Sequence, residues 1–295
     1  MSANAALICF TTCSRILKKK GMSLPRGIKA LSHLNRIREI WGAIVLTKSW
    51  WKLTRAYLKL GRIDYPWILE TRYGQNIPLN NFHDCVTVWV IFCRHEYVVP
   101  SDAKVIIDLG ANFGAFTLLA AHQAKQSRII SLEPFPASRN QLCENVASNG
   151  LVERVTCMPL AIAKASGERR MSLEAGPDQS RGLLPEEAEV PEKAVNVKTI
   201  SLQELLLYVR ENFGTDRIDL VKMDIEGGEH EWLPEIPSSI LQNIRAWQME
   251  YHPNGSKQSL FRSLEMAGFK CVKDYIIGSN CGVAHFERTN LITLL

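Results

Sequence analysis

Val105-Ile106-Ile107-Asp108-Leu109-Gly110-Ala111-Asn112-Phe113-Gly114 decides how this chain folds. An apolar strand ends in an acid, and two glycines then turn the chain into a helix read over Ala115–Ala124. In a doubly wound sheet, nucleotide-like ligands bind in the crevice at the carboxyl end of such a strand. Glycines there let the backbone approach a ligand without a Cβ in the way. The spacing is D-x-G-x-x-x-G, with Asn112 where a middle glycine would stand. Dinucleotide binders instead carry G-x-G-x-x-G, with the pyrophosphate at the helix N-terminus. The plain alternative is an ordinary tight βα turn made with two glycines.

Outward from this stretch the chain alternates strand and helix. Arg128–Glu133 and Val155–Pro159 read as strands, Pro136–Ser148 as a helix stopped at Gly150. Ser201-Leu202-Gln203-Glu204 reads as a capping box opening a helix that runs to Arg210. Arg217–Met223 and Ala246–Glu250 are strands, Ser259–Ala267 a helix, and Phe269–Lys273 and Val283–Phe286 closing strands. Such alternation argues for an α/β fold with a parallel sheet covered on both faces. Residues 174–193, rich in Glu, Pro and Gly, read as a mobile loop between two short strands. Before the core, Ile68–Arg72 and Asn76–Leu79 flank a turn at Tyr73-Gly74, and Val86–Phe92 is β-like in composition. Residues 1–60 read as helical, with Trp41, Trp50 and Trp51 among basic residues.

The chain has 295 residues, 46% hydrophobic and 22% charged, which excludes wholesale disorder and leaves room for one large domain with appendages. No run approaches the roughly 18 apolar residues of a membrane-spanning helix, so a soluble, cytoplasmic protein is expected. The net charge of +5 hides an asymmetry. Residues 1–100 hold 15 Lys and Arg against 5 Asp and Glu, a net +10, and the remainder holds 20 against 25. Lys18, Lys19 and Lys20 follow the short apolar stretch Ala5–Phe10, the reverse of a secretory signal. A basic, Trp-rich start has the composition of a segment that touches a membrane surface or an anionic partner, although such aromatics more often pack a helix onto its own domain. Eight scattered cysteines with no C-x-x-C pair fit free thiols in a reducing compartment.

Three strand ends carry acids. Glu133 ends Ile129-Ile130-Ser131-Leu132-Glu133-Pro134, 25 residues after Asp108. A carboxylate there can accept from both hydroxyls of a ribose. Its plain alternative is an acid favoured by a helix N-terminus. Asp224 ends Leu220-Val221-Lys222-Met223-Asp224, with Glu226 and Glu229 following across two glycines. Carboxylates crowded at one sheet edge cost electrostatic energy, which argues for a functional reason. For Glu229, helix capping weighs about equally with function. His252 follows the strand Trp247–Tyr251, two residues after Glu250.

D-x-G-x-x-x-G resembles motif I of the class I S-adenosylmethionine-dependent methyltransferases. DLGANFG, SLEP and especially VKMDIEGGEHEWL followed by MEYHP resemble the FkbM family within them, over roughly Arg72 to the last strand. His83-Asp84 and the apolar run to Tyr97 are similar to that family's lead-in, whereas Gln203 stands where members often have an acid. The resemblance implies a doubly wound, mostly parallel seven-stranded Rossmann-like sheet over residues 67–295, its cofactor core starting near 104. Residues 1–66 would form a basic helical extension. It implies S-adenosylmethionine as cofactor, lined by Asp108, Gly110, Asn112 and Gly114, with Glu133 on the ribose. It further implies O-methylation of a hydroxyl on a small or glycosylated metabolite. Asp224 and Glu226 would lie beside the transferred methyl, with Asp224 the first choice of general base and His252 the second.

Asp224, Glu226 and Glu250 have the oxygen chemistry of a Mg²⁺ site. The resemblance does not require a metal, and none is expected. The alternatives are a nucleic-acid methyltransferase using the basic N-terminal region, and a nicotinamide-dependent oxidoreductase. Against the first, no Pro-Pro-aromatic motif follows Asp224, and two carboxylates there would repel a phosphate backbone. Against the second, G-x-G-x-x-G is missing.

Overall fold

The computed structural model describes residues 37–172, 182–184 and 194–289. Two helices, α1 (Ile37–Leu46) and α2 (Trp50–Tyr57), precede a hairpin of β1 (Trp67–Glu70) and β2 (Asn76–Leu79). Then come α3 (Phe82–Val88), β3 (Val105–Leu109), α4 (Ala115–Gln123), β4 (Arg128–Leu132), α5 (Pro136–Ser148) and β5 (Val155–Met158). A small three-stranded sheet follows, of β6 (Leu160–Ile162), β7 (Gly167–Ser172) and β8 (Ala194–Ile200). The chain closes with α6 (Leu202–Phe213), β9 (Leu220–Met223), the single turns α7 (Glu229–Trp232) and α8 (Ser238–Leu241), β10 (Ala246–Tyr251), α9 (Lys257–Met266), β11 (Phe269–Gly278) and β12 (Cys281–Arg288).

The main sheet is seven-stranded and mixed, in the order β11-β12-β10-β9-β3-β4-β5. Pairing is parallel from β10 through β5 and antiparallel on both sides of β12. All five residues of β3 are buried, so the strand shows no alternation and needs cover on both faces. Ile106 and Ile129 pack with α4 and α5 through Phe116, Leu118 and Leu142. Ile107, Val221 and Trp247 pack on the opposite face with Leu205, Val209 and Leu260 of α6 and α9. Each aliphatic side chain so buried contributes about 1.5–3 kcal/mol.

One row of this sheet is polar. Ser131, Asp108, Lys222, Gln248 and His285 are neighbours in register across β4, β3, β9, β10 and β12, and all five are buried. Buried polar groups need partners. Thr117 of α4 donates to Asp108 and bonds Ser131, while Lys222 pairs with Asp108 at 3.1 Å. Gln248 bonds both the N–H and C=O of Val98, and His285 bonds the carbonyl of Glu96 at 2.6 Å. The row thereby ties the extended segment 96–98 onto the sheet.

The sequence expectations and the structure differ in several places. Val86–Phe92 is not β but the end of α3 and a π turn, Trp89–Cys93, closed by Arg94 N–H to Trp89 C=O. Periodicity cannot separate a fully buried helix from a buried strand. Here Asn81 caps the helix, its side chain accepting from the amides of His83 and Asp84. The capping box is also incomplete. Ser201 Oγ accepts from Glu204 N, but the Ser201 amide donates to Ser166 Oγ, which in turn donates to Glu204. Ala43, Leu53 and Ala56 share one buried cluster with Ile106 and Phe116, so a boundary at residue 66 does not divide two cores. The strands around 174–193 are present as β7 and β8, while 173–181 and 185–193 lie outside the described residues. Residues 1–36, including Lys18–Lys20, lie outside them too. Among the described residues the cysteines are free, and no helix is long and apolar enough to cross a membrane.

Candidate active site

The carboxyl ends of β3, β4 and β9 meet at two βα turns in contact with each other. The amides of Gly110 and Ala111 donate to Leu132 C=O, and Asp224 N–H donates to Leu109 C=O. Gly110 has φ +75°, and a Cβ built on it would lie 1.8 Å from the Asp224 carbonyl oxygen. Its lack of a side chain is therefore required by the neighbouring turn, a different reason from the ligand approach expected from sequence. Gly114 likewise abuts Leu142, whose Cδ1 would be 2.6 Å from an added Cβ, and lines neither of the two cavities of the site.

Asp108 departs from expectation in the same way. Its side chain is fully buried against Thr117 and Lys222 and faces neither cavity of the site. Lys222 carries the effect upward: its ammonium donates to the Gly110 carbonyl at 2.8 Å and lies 3.9 Å from Asp224. Asp108 thus fixes the glycine turn through an ion pair beneath it.

Glu133 sits where the spacing places it. One carboxylate oxygen accepts from Asn112 N at 2.7 Å and the other from Phe135 N at 2.9 Å. Asn112 is left-handed, φ +51°, a conformation Asn tolerates better than most side chains. Burial pushes the Glu133 pKa up to about 7, against the pull of those two amides. Glu133 lines a cavity of about 110 Å³ together with Asn112, Phe135, Leu160, Ile162 and Met171. A larger cavity of about 530 Å³ is lined by Asn80, His83, Asp84, Asn140, Gln141 and Glu144, among others. Gly110, Asn112, Asp224 and Glu226 line both.

At the end of β9 the carboxylates gather round His252. Glu229 is fully buried and accepts from Gly227 N at 2.9 Å and His252 N at 2.8 Å, and its Oε1 lies 2.9 Å from His252 Nδ1. It therefore joins the turn after β9 to the turn after β10. His252 Nε2 then lies 3.3 Å from Glu226 and 4.0 Å from Asp224. Burial opposes the imidazolium, but Glu226, Glu229 and Asp224 outweigh it and push the His252 pKa up to about 11. Glu226 has φ +57°, a strained conformation of the kind that gathers at functional sites. Burial raises the Asp224 pKa, Lys222 opposes the rise and Glu226 adds to it. Burial, then repulsion by Asp224, pushes Glu250 up to about 8.

The structure brings Gly110, Asn112, Glu133, Asp224, Glu226 and His252 together. The donor group it forms is Asp224, Glu226 and His252, within 4.8 Å of one another, and not the all-oxygen trio with Glu250. Sequence reasoning left two things out. One is the Glu229–His252 contact, for which E-G-G-E and a His just after the next strand were the signal. The other is the amide-rich wall from Asn80 to Gln141, which carries no motif.

Residues 108–275 match the family described as Methyltransferase FkbM domain. Methyltransferase sdnD of Sordaria araneosa is 27% identical over 211 residues, covering 62% of this chain and 81% of its own length. AMB antimetabolite synthetase AmbE of Pseudomonas aeruginosa is 28% identical over 191 residues, 55% of this chain but only 9% of that protein. Among solved structures, M. jannaschii TYW2 in complex with AdoMet is similar with a TM-score of 0.40 and 16% identity, covering 78% of this chain and 89% of that one.

Proposed function

The chain belongs to the FkbM methyltransferase domain family, whose cofactor is S-adenosylmethionine, and from that premise we propose that it methylates a hydroxyl on a small or glycosylated acceptor. One observation carries the reading: Asp224 and Glu226 line both cavities, so one pair of carboxylates faces the cofactor side and the acceptor side alike.

The residues present fit the cofactor. Each Glu133 oxygen has a single backbone donor, which leaves acceptor capacity toward the cavity for two ribose hydroxyls. Leu160, Ala161, Ile162 and Phe135 offer an apolar wall beside it for a flat ring. Gly110 and Asn112 supply backbone along the remaining rim, held by Asp108 and Lys222 from below. When bound, the cofactor supplies a methyl group on a sulfonium leaving group.

The chain's own work is then to bind, orient and deprotonate. Holding an acceptor oxygen in line with the methyl accounts for much of the acceleration in such a transfer. Asp224 takes or orients the hydroxyl proton, its basicity raised by burial. His252 ranks below it as a base, because a group held as an imidazolium has no lone pair at Nε2 to accept a proton. It serves instead as the positive charge that steadies Glu226 and Asp224. The neutral amides of Asn80, Asn140 and Gln141 suit a hydroxyl-rich acceptor, while Asp84, Glu144, Asp224 and Glu226, against the one lysine Lys222 that Asp108 pairs, oppose an anionic one.

Methyl transfer from labelled cofactor to a panel of neutral hydroxylated compounds and glycosides, with their amine counterparts, tests this. Asp224→Asn is expected to keep affinity for S-adenosylhomocysteine and lose about 10²–10⁴-fold in turnover. Label entering only the amines, or full turnover in Asp224→Asn, overturns the assignment.

A further inference from the structure

The solvent faces of α1 and α2 follow one pattern. On α1 the exposed positions fall at Arg38, Trp41 and Val45, with Lys48 just beyond its end, a single helical stripe with two apolar side chains between two basic ones. On α2 they fall at Trp51 and Arg55, continuing to Lys59. Trp41 is 66% exposed, Trp51 52% and Val45 49%; Leu60, just past α2, is 55% exposed. Isolated exposed apolar residues need no explanation, but a series of them at helical spacing does.

The charge is one-sided. Residues 37–62 contain six basic residues and one acid, Glu39. That acid is turned inward, accepting from the Trp89 indole and lying 3.8 Å from Arg94. Among the described residues Lys48 pairs with Glu70 and Arg62 with Asp64, while none of Arg38, Lys52, Arg55 and Lys59 pairs with a carboxylate. The outward face therefore presents cations interleaved with tryptophan and aliphatic side chains.

We propose that the outward face of α1 and α2 docks on an anionic lipid bilayer. Tryptophan rings prefer the headgroup level, and the aliphatic side chains enter the acyl boundary while Arg and Lys meet lipid charge. A polynucleotide would use the cations and stack on the tryptophans, but it offers no place for the exposed aliphatic side chains of Val45 and Leu60. The face adjoins the site, because Lys59 lies over the Phe82 ring at 4.4 Å and His83, next along α3, lines the larger cavity.

Co-sedimentation of the full chain with phosphatidylcholine vesicles, with and without about 30 mol% phosphatidylserine, tests it. Binding is expected only with the anionic lipid, to weaken as salt rises, and to shift tryptophan emission to the blue. Arg38→Gln and Arg55→Gln should each weaken partitioning about fivefold. Trp41→Ser with Val45→Ser should weaken it further, with melting temperatures unchanged because all four side chains face solvent. Absence of binding, binding that ignores all four substitutions, or retention on RNA but not on vesicles overturns the proposal.

Discussion

Burial raises the Glu133 pKa to about 7, and this sets a pH dependence on the cofactor. An ionised carboxylate can accept from both ribose hydroxyls, whereas the protonated form has lost an acceptor and gained a donor. Below about pH 7 a proton on Glu133 must therefore leave as the cofactor enters. Affinity for S-adenosylhomocysteine should therefore fall as pH drops below about 7, by up to roughly tenfold per pH unit. Glu133→Gln should be weaker at and above neutral pH and flat in pH, the wild type approaching it as pH falls, and Glu133→Ala should lose about 1.5–3 kcal/mol at neutral pH. Calorimetry between about pH 5.5 and 8.5 checks this, and a flat wild-type profile would remove Glu133 from the ribose. The spacing of Asp108 and Glu133 was legible because both end adjacent parallel strands. The inward turn of the Asp108 side chain was not, since it depends on Lys222 in a third strand.

At the scale of elements, the site is made by two βα turns pressed together. Gly110 is the contact point, and its cost of replacement has two parts. A left-handed backbone costs a residue with a Cβ about 1–2 kcal/mol, and overpacking against the Asp224 carbonyl adds about 1–3 kcal/mol. Gly110→Ala is thus expected to destabilise by about 2–5 kcal/mol in denaturant unfolding. Gly74→Ala is the control, since Gly74 has φ +94° but nothing within 4 Å of an added Cβ, and it should show the backbone cost alone. Equal losses in the two variants would mean the turns can part. Sequence reading located every strand of the main sheet, yet it misread the run after Asn81, because a stretch buried on all sides has no periodicity to read.

Across the whole molecule, the buried row from Ser131 to His285 couples the sheet to the segment laid over it. Lys222 is its pivot, pairing with Asp108 in the core and holding the Gly110 turn at the surface. Removing one partner of a buried ion pair leaves the other charge unpaired, a loss of about 3–5 kcal/mol. Lys222→Met should therefore destabilise by about that much, and Lys222→Met with Asp108→Leu should recover a good part of it. The double variant should still bind cofactor poorly, because nothing then holds the Gly110 carbonyl. Additive losses in a double-mutant cycle would show the pair to be uncoupled.

What the sequence determined by itself follows from local rules. Unbroken apolar runs specify buried parallel strands, acids at their ends mark the crevice, and D-x-G-x-x-x-G with D-x-E-G-x-E marks the family. The tertiary structure decided what those residues touch. Lys222 reaches Gly110 across 112 positions and Glu229 reaches His252 across 23, distances over which no spacing rule operates. Only the register of β3 against β9, and of β9 against β10, sets Asp108 beneath the glycine turn and His252 beside Asp224 and Glu226. A shift of one residue in either pairing would send those side chains to the opposite face of the sheet.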